Sequence, residues 1–463
     1  MTCGGCVTAS GRRGKGKGET GKGRGAAPPA HPGEAGARQP VHTVYGGAHL
    51  FRADSARKLG DLALRALDEA APDAPSFAGA LGLDPALADT VYARVRAKLA
   101  QEPVEDFRID FEDGYGNRPD DEEDATADAA AVETARGMAA GTLPPFIGIR
   151  IKPLSRELER RAARTLDRFL RALVARTGAT LPAGFVVTLP KVTVPQQVAA
   201  CADLLGSLES GLGLASGAVK LELMVETPQA MLDADGRCPL PALVAAARGR
   251  CVAAHFGVYD YTAALGITAA HQRMRHPACD LARGIMQVAL AGTGVWLSDG
   301  ATTVMPIAPH RAETGRPLTP EQRAANRAGV FHGWRLHFDD VTHSLVHAFY
   351  QGWDLHPAQL PTRYAALYAF FLASLDSASR RLARFVERAA QATLVGDVFD
   401  DAATGQGLLN FFLRGLNCGA ISEREALATG LTLDELASRS FLKILEGRRR
   451  AGGAAERSEP PIT

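Results

Sequence analysis

No apolar run in these 463 residues is long enough to span a bilayer, and the first residues lack the apolar core of a secretory leader. A membrane partner is therefore not expected, and a cytoplasmic location is. Net charge is also nearly absent, at +1, so neither nucleic acid nor an anionic surface is offered an overall attraction. Cysteine is scarce and odd in number: Cys3, Cys6, Cys201, Cys238, Cys251, Cys279 and Cys418. Such a set reads as reduced thiols rather than a disulfide framework. Cys3 and Cys6 form a C-x-x-C, but zinc would need a second pair nearby, and the next cysteine is Cys201. What the chain does hold is apolar residue, 46% against 22% charged, ample for one large domain with an appendage.

Large apolar side chains are nearly missing from residues 1–40. Between Arg12 and Arg24 six basic residues face only Glu19 in a glycine-rich background, the composition of a disordered basic tail. Gly16 to Lys22 has the spacing of a phosphate loop. Gly23 stands where Ser or Thr is needed, however, and no strand precedes it. Residues 447–463, opening on Arg448, Arg449 and Arg450, read as a second polar tail.

Between the tails, short apolar runs alternate with helical periodicity. The strands expected are 42–45, 106–113, 145–152, 184–192, the runs after Val219 and from Cys251, 294–300 and 352–360. Eight strands alternating with helices predict a (β/α)8 barrel over 41–360, with a doubly wound sheet as the alternative. The barrel is favoured because polar residues follow strand after strand: Asp113, Arg150, Lys191, Glu226, Asp260, Asp299 and His356. Only a barrel gathers all the strand ends around one mouth. Residues 361–446 read as a C-terminal helical domain.

Two of those strand ends share one grammar. Glu226 closes VKLELMV and Asp260 follows CVAAHFGVY, each before a helix start. Paired carboxylates without a Cys/His cluster suit Mg²⁺, or Mn²⁺, completed by water and substrate oxygens. The competing reading is that each is simply an acid favoured at a helix N-terminus. Asp120 to Asp124 read as a solvated helix start of that kind. Gly46 and Gly47 would allow a sharp turn or close approach to a ligand. Arg273, Arg275, His310 and Arg311 could serve a phosphate or acidic tail, or line a solvated loop.

The strings DFEDG, IRIKP, TLPKV, VETPQAM, FGVYDYTAALG, SDG and LHPAQ occur in this order over residues 106–360. Together they resemble the signature strands of the superfamily that includes HpcH/HpaI aldolases, citrate lyase β-subunits, malyl-CoA lyases and malate synthases. The resemblance implies a barrel of the pyruvate/phosphoenolpyruvate-binding type, with Mg²⁺ on Glu226 and Asp260. It implies that Arg150 contacts the substrate's carboxylate or carbonyl oxygen, with Asp113 and Glu112 near the metal's waters. VFDDAATGQGLLNFFLRG (398–415) resembles the malate synthase segment bearing the catalytic base, here Asp401, which could instead cap the following helix. The activity implied is Mg²⁺-dependent carbon–carbon bond cleavage or formation, aldol or Claisen type, on a small 2-keto acid. VYGGAH (44–49) departs from the F-V-P-G-D/N of the thioester lyases, so an acyl-CoA co-substrate is left open, and His49 could instead bind an anion. The alternatives are a coenzyme A-independent pyruvate aldolase, a phosphoenolpyruvate-utilising enzyme, and a non-catalytic keto-acid-binding protein. A homo-oligomer is expected.

Overall fold

The computed structural model describes residues 38–450 apart from 313, 315, 388–392, 396, 397, 401, 439, 442, 445 and 449. Eight short runs become the strands β1 (His42–Gly47), β2 (Asp106–Asp110), β3 (Phe146–Arg150), β4 (Val186–Leu189), β5 (Lys220–Val225), β6 (Cys251–Phe256), β7 (Trp296–Ala301) and β8 (Gln351–Asp354). All pair in parallel, in sequence order, and β8 closes on β1. The expected (β/α)8 barrel is what forms.

Parallel strands under a helix layer are covered on both faces, so apolar side chains dominate their outward positions. Ile147 and Ile149 of β3, Val187 of β4, and Leu221 and Leu223 of β5 are buried there. The inward positions carry Tyr45, Arg108, Arg150, Thr188, Glu222 and His255, which bond to one another across the interior.

The connections supply the cover. α1 (Ser55–Ala70), α2 (Ala74–Leu81) and α3 (Ala88–Gln101) follow β1. α4 (Asp120–Ala140), α5 (Glu159–Thr177) and α6 (Pro195–Leu212) follow β2, β3 and β4. The short α7 (Pro228–Met231) and α8 (Leu240–Ala246) follow β5, and α9 (Val258–Ala264) and α10 (Pro277–Leu290) follow β6. α11 (Pro320–Val346) returns from β7, its start fixed by Thr319 and Gln322 in a reciprocal cap. α12 (Leu360–Glu387) packs against α11 and α3 and completes the ring. β9 (Thr393–Val395) and β10 (Val398–Asp400) then form an antiparallel pair before α13 (Ala402–Asn417), α14 (Glu423–Leu427) and α15 (Leu433–Ala437). That pair interrupts a stretch expected to be helical throughout. Its sequence favours strands, since Thr393, Val395 and Val398 are β-branched.

Strand two stops at Asp110, so Glu112 and Asp113 stand in the turn beyond it rather than at its end. Asp299 also moves from its expected place. It lies inside β7 and turns outward, accepting from Arg283 Nε at 2.8 Å and Ser344 Oγ at 2.6 Å. His356 caps a short 3-10 turn, its Nδ1 accepting from the Ala358 N–H at 3.2 Å.

The seam between first and last strands carries a clasp. His42 Nδ1 lies 2.7 Å from Asp354 Oδ2, and His337 Nε2 lies 3.0 Å from Asp354 Oδ1. Arg363 donates to the same carboxylate at 2.9 Å. Burial opposes ionisation of Asp354, but Arg363, His337 and His42 outweigh it and hold the carboxyl well below its usual range.

Candidate active site at the barrel mouth

The floor of the site is an ionic layer inside the barrel. Glu222 of β5 accepts from Arg108 Nη2 at 2.6 Å and Thr188 Oγ1 at 2.7 Å, and His255 Nε2 lies 2.9 Å away. Burial opposes charge on Glu222, yet Arg108 and His255 prevail and lower its pKa. Tyr45 reaches Glu222 with its hydroxyl at 3.2 Å and presents its ring to Arg150, whose guanidinium carbon lies 4.8 Å from the ring centroid.

Above this floor Arg150 is fixed by a carboxylate absent from the expected site. Its Nε and Nη2 donate to Asp110 at 2.7 and 2.5 Å, a two-bond fork. Only Nη1 remains toward the mouth, 3.0 Å from Glu112 Oε2 and 3.6 Å from Asp113 Oδ2.

Lys191, just past β4, is the second cation. Its Nζ lies 2.6 Å from Glu112, 3.5 Å from Asp260 and 3.7 Å from Asp113, so it joins acids from the β2 and β6 ends. Its backbone sits at φ 51°, uncommon for a residue with a side chain and the kind of strain that collects at functional sites. In that pose its N–H donates to Glu226 Oε1 at 2.7 Å. Burial and the positive φ are invisible in TLPKV; the lysine after a strand end was the only signal available.

The helix-start explanation fails for Glu226. Thr227 caps α7, accepting from the Ala230 N–H at 3.2 Å, while Glu226 turns inward and is 1% exposed. Asp260 does stand in the first turn of α9, yet its carboxylate faces Lys191. Burial pushes Glu226 up to about 8; Lys191 offsets part of this, and Asp260 and Glu112 add to it. Burial also raises Glu112, against Arg150 and with Asp113.

The mouth thus brings together Glu112, Asp113, Arg150, Glu226 and Asp260, and adds Asp110 and Lys191. Asp401 lies outside the described residues. Five carboxyl groups face two cations, and Glu226 Oε2 has no hydrogen-bond partner among the described residues. Hard oxygen donors with surplus negative charge fit Mg²⁺ or Mn²⁺.

Other expected contributors are accounted for differently. Gly47 is needed because a Cβ there would meet the Gly114 carbonyl oxygen at 2.2 Å, so the close approach is to backbone. His49 packs beside the Tyr115 ring, and burial lowers its pKa. Arg275 pairs with Asp340 at 2.9 Å. Within the acidic start of α4, Glu123 is buried and binds Lys152 at 3.2 Å and Arg161 at 2.7 Å, a structural anchor rather than a solvated charge.

Fold and site together define a parallel eight-stranded barrel with an acidic mouth at the carboxyl ends of its strands. Within that class, the chain belongs to the family described as a domain of unknown function (DUF6986), whose model matches residues 25–444. No curated protein matches it. Among solved structures it is similar to a citrate lyase from Burkholderia xenovorans LB400, with TM-score 0.55 and 18% identity over 85% of this chain and 97% of that one. A Haloferax volcanii malate synthase in a magnesium/glyoxylate complex gives TM-score 0.43 and 14% identity over 89% and 97%. At 18% identity the citrate lyase likeness is one of fold. Among the described residues no helix is long and apolar enough to cross a membrane.

Proposed function

We propose that the mouth binds Mg²⁺, or Mn²⁺, between Glu226 and Asp260 together with a small 2-keto acid, and that the protein makes or breaks a carbon–carbon bond beside the keto group. The observation that carries this reading is the gathering of five carboxyl groups from the β2, β5 and β6 ends around only Arg150 and Lys191. The order of strand-end strings shared with carbon–carbon lyases supports the choice of reaction. The bound ion would supply polarisation of the keto carbonyl and stabilise developing enolate charge.

The chain's own groups divide the remaining work. Arg150, held on Asp110 and Tyr45, offers Nη1 to a substrate carboxylate at a preset angle. Lys191 keeps Glu112 and Asp260 from repelling each other and orients Glu226 through its backbone N–H. With Glu226 and Asp260 holding the ion, the proton at the reacting carbon needs another base, and Asp401 is assigned that role on the resemblance of DDAATGQG to the malate synthase segment.

Calorimetric titration with glyoxylate, pyruvate and oxaloacetate, with and without Mg²⁺, tests the proposal. One keto acid should bind with Mg²⁺ and lose its heat in EDTA or in Glu226→Gln. Binding unchanged by EDTA, or no binding of any keto acid, overturns it.

A further inference from the structure

On the outer flank of the barrel, away from the carboxylates of the mouth, a second set of ligand types converges. His343 and His347 are four residues apart at the end of α11, a spacing that puts both imidazoles on one face. Asp280, in the first turn of α10, meets them from the neighbouring helix. One ligand atom from each of the three lies within 4.8 Å of the others, the only such trio of His, Cys, Asp or Glu among the described residues. All three side chains are partly exposed, so an ion has access from solvent.

The local hydrogen bonds fit such a role. His347 Nδ1 lies 2.8 Å from the His343 carbonyl oxygen and donates to it, which leaves its Nε2 lone pair free. This is the support that metal-binding histidines typically receive from a backbone carbonyl. His343 Nε2 is 2.8 Å from Asp280 Oδ1, and Arg283 Nη1 reaches the same oxygen at 2.8 Å. Asp280 Oδ2 has no hydrogen bond among the described residues. Arg283 is itself locked to Asp299 of β7, so Asp280 is anchored to the barrel wall.

We infer that Asp280, His343 and His347 form a binding site for a divalent transition metal of the Zn²⁺ class, stapling α10 to α11. Two imidazoles and one carboxylate are the ligand types of such ions, whereas Mg²⁺ prefers an all-oxygen shell. Ligands around tetrahedral Zn²⁺ sit about 3.4 Å apart, so the His343–Asp280 contact opens slightly while the widest separation closes. The ion replaces the proton shared between His343 and Asp280, and that proton moves to Nδ1 of the ring or to solvent. A fourth position faces water.

The test titrates Zn²⁺ into metal-free protein by calorimetry and follows thermal unfolding. Wild type should take up one Zn²⁺ at this site and unfold at a higher temperature with it. The double variant His343→Gln/His347→Gln should lose both effects, and Asp280→Asn should weaken binding about tenfold or more. Glu226→Gln should retain the flank site. Co²⁺ adds a readout independent of stability, since nitrogen-bound Co²⁺ of low coordination number absorbs intensely in the visible and the hexa-aquo ion does not. Zn²⁺ uptake by the double variant equal to wild type, or uptake abolished by Glu226→Gln instead, overturns the assignment.

Discussion

Arg150 shows how a side chain can be in the expected place and spend its geometry differently. It was expected to contact the substrate, but Asp110 holds its two-donor face, so the ligand is left with Nη1. Asp110→Asn should therefore lower keto-acid affinity without touching the ligand, and destabilise the fold by about 1–3 kcal/mol because a charged hydrogen-bond pair is weakened in the interior. Calorimetry and urea unfolding read the two effects, and wild-type values for both would make the fork incidental. His337 carries a pH dependence. Burial lowers its pKa below the ordinary 6.5, against Asp354. A base so shifted binds more protons unfolded than folded, so stability is full above pH 6.5 and declines as pH falls below it. Denaturant midpoints measured from pH 7, just above that value, down to pH 5, well below it, should fall for wild type and fall less for His337→Gln. Equal slopes would remove His337 from the account. Lys191 was named at a strand end but not assigned a role, since its bond to Glu112 spans 79 positions and no local pattern records that.

At the scale of elements, all eight strands were legible, because strands covered by helices carry apolar side chains on their outward face. Their ends and faces were less so. Phe111 continues the alternation of Phe107 and Ile109, is fully buried, and still donates its N–H to the Arg150 carbonyl at 2.9 Å, so contact with β3 runs one residue past the end of β2 and stops short of Glu112 and Asp113. Asp299 was misplaced for a different reason. Neighbouring strand positions point to opposite faces, and a string with polar residues at both does not tell which is inside. The end of β6 carries a sharper constraint. A Cβ on Gly257 would lie 2.4 Å from Glu226 Oε2, so the glycine makes room for the carboxylate of the adjacent strand. Gly257→Ala should weaken Mg²⁺-dependent keto-acid binding about tenfold or more while shifting the unfolding midpoint little, as one displaced carboxylate of the site requires. Loss of stability without loss of binding would mean that the backbone, not Glu226, gives way.

For the molecule as a whole, the barrel and its acidic mouth could be read from spacing, whereas the β9–β10 pair was hidden in a segment whose other apolar positions repeat helically. Asp401 follows directly after that pair in sequence, and its role is a matter for kinetics. Asp401→Asn should leave Mg²⁺ and keto-acid binding nearly unchanged and cut turnover by about 10² or more. Normal turnover, or stability and binding lost in proportion as a lost helix cap would give, would remove Asp401 as the base. The His42–Asp354 clasp has a consequence in time. Its two residues stand 312 positions apart, so at ribosomal rates of about 5–20 residues per second β8 is synthesised roughly 15–60 s after β1. Until then the outer edge of β1 has no neighbour and His42 no carboxylate, and the nascent chain must carry an open sheet edge through most of its own translation.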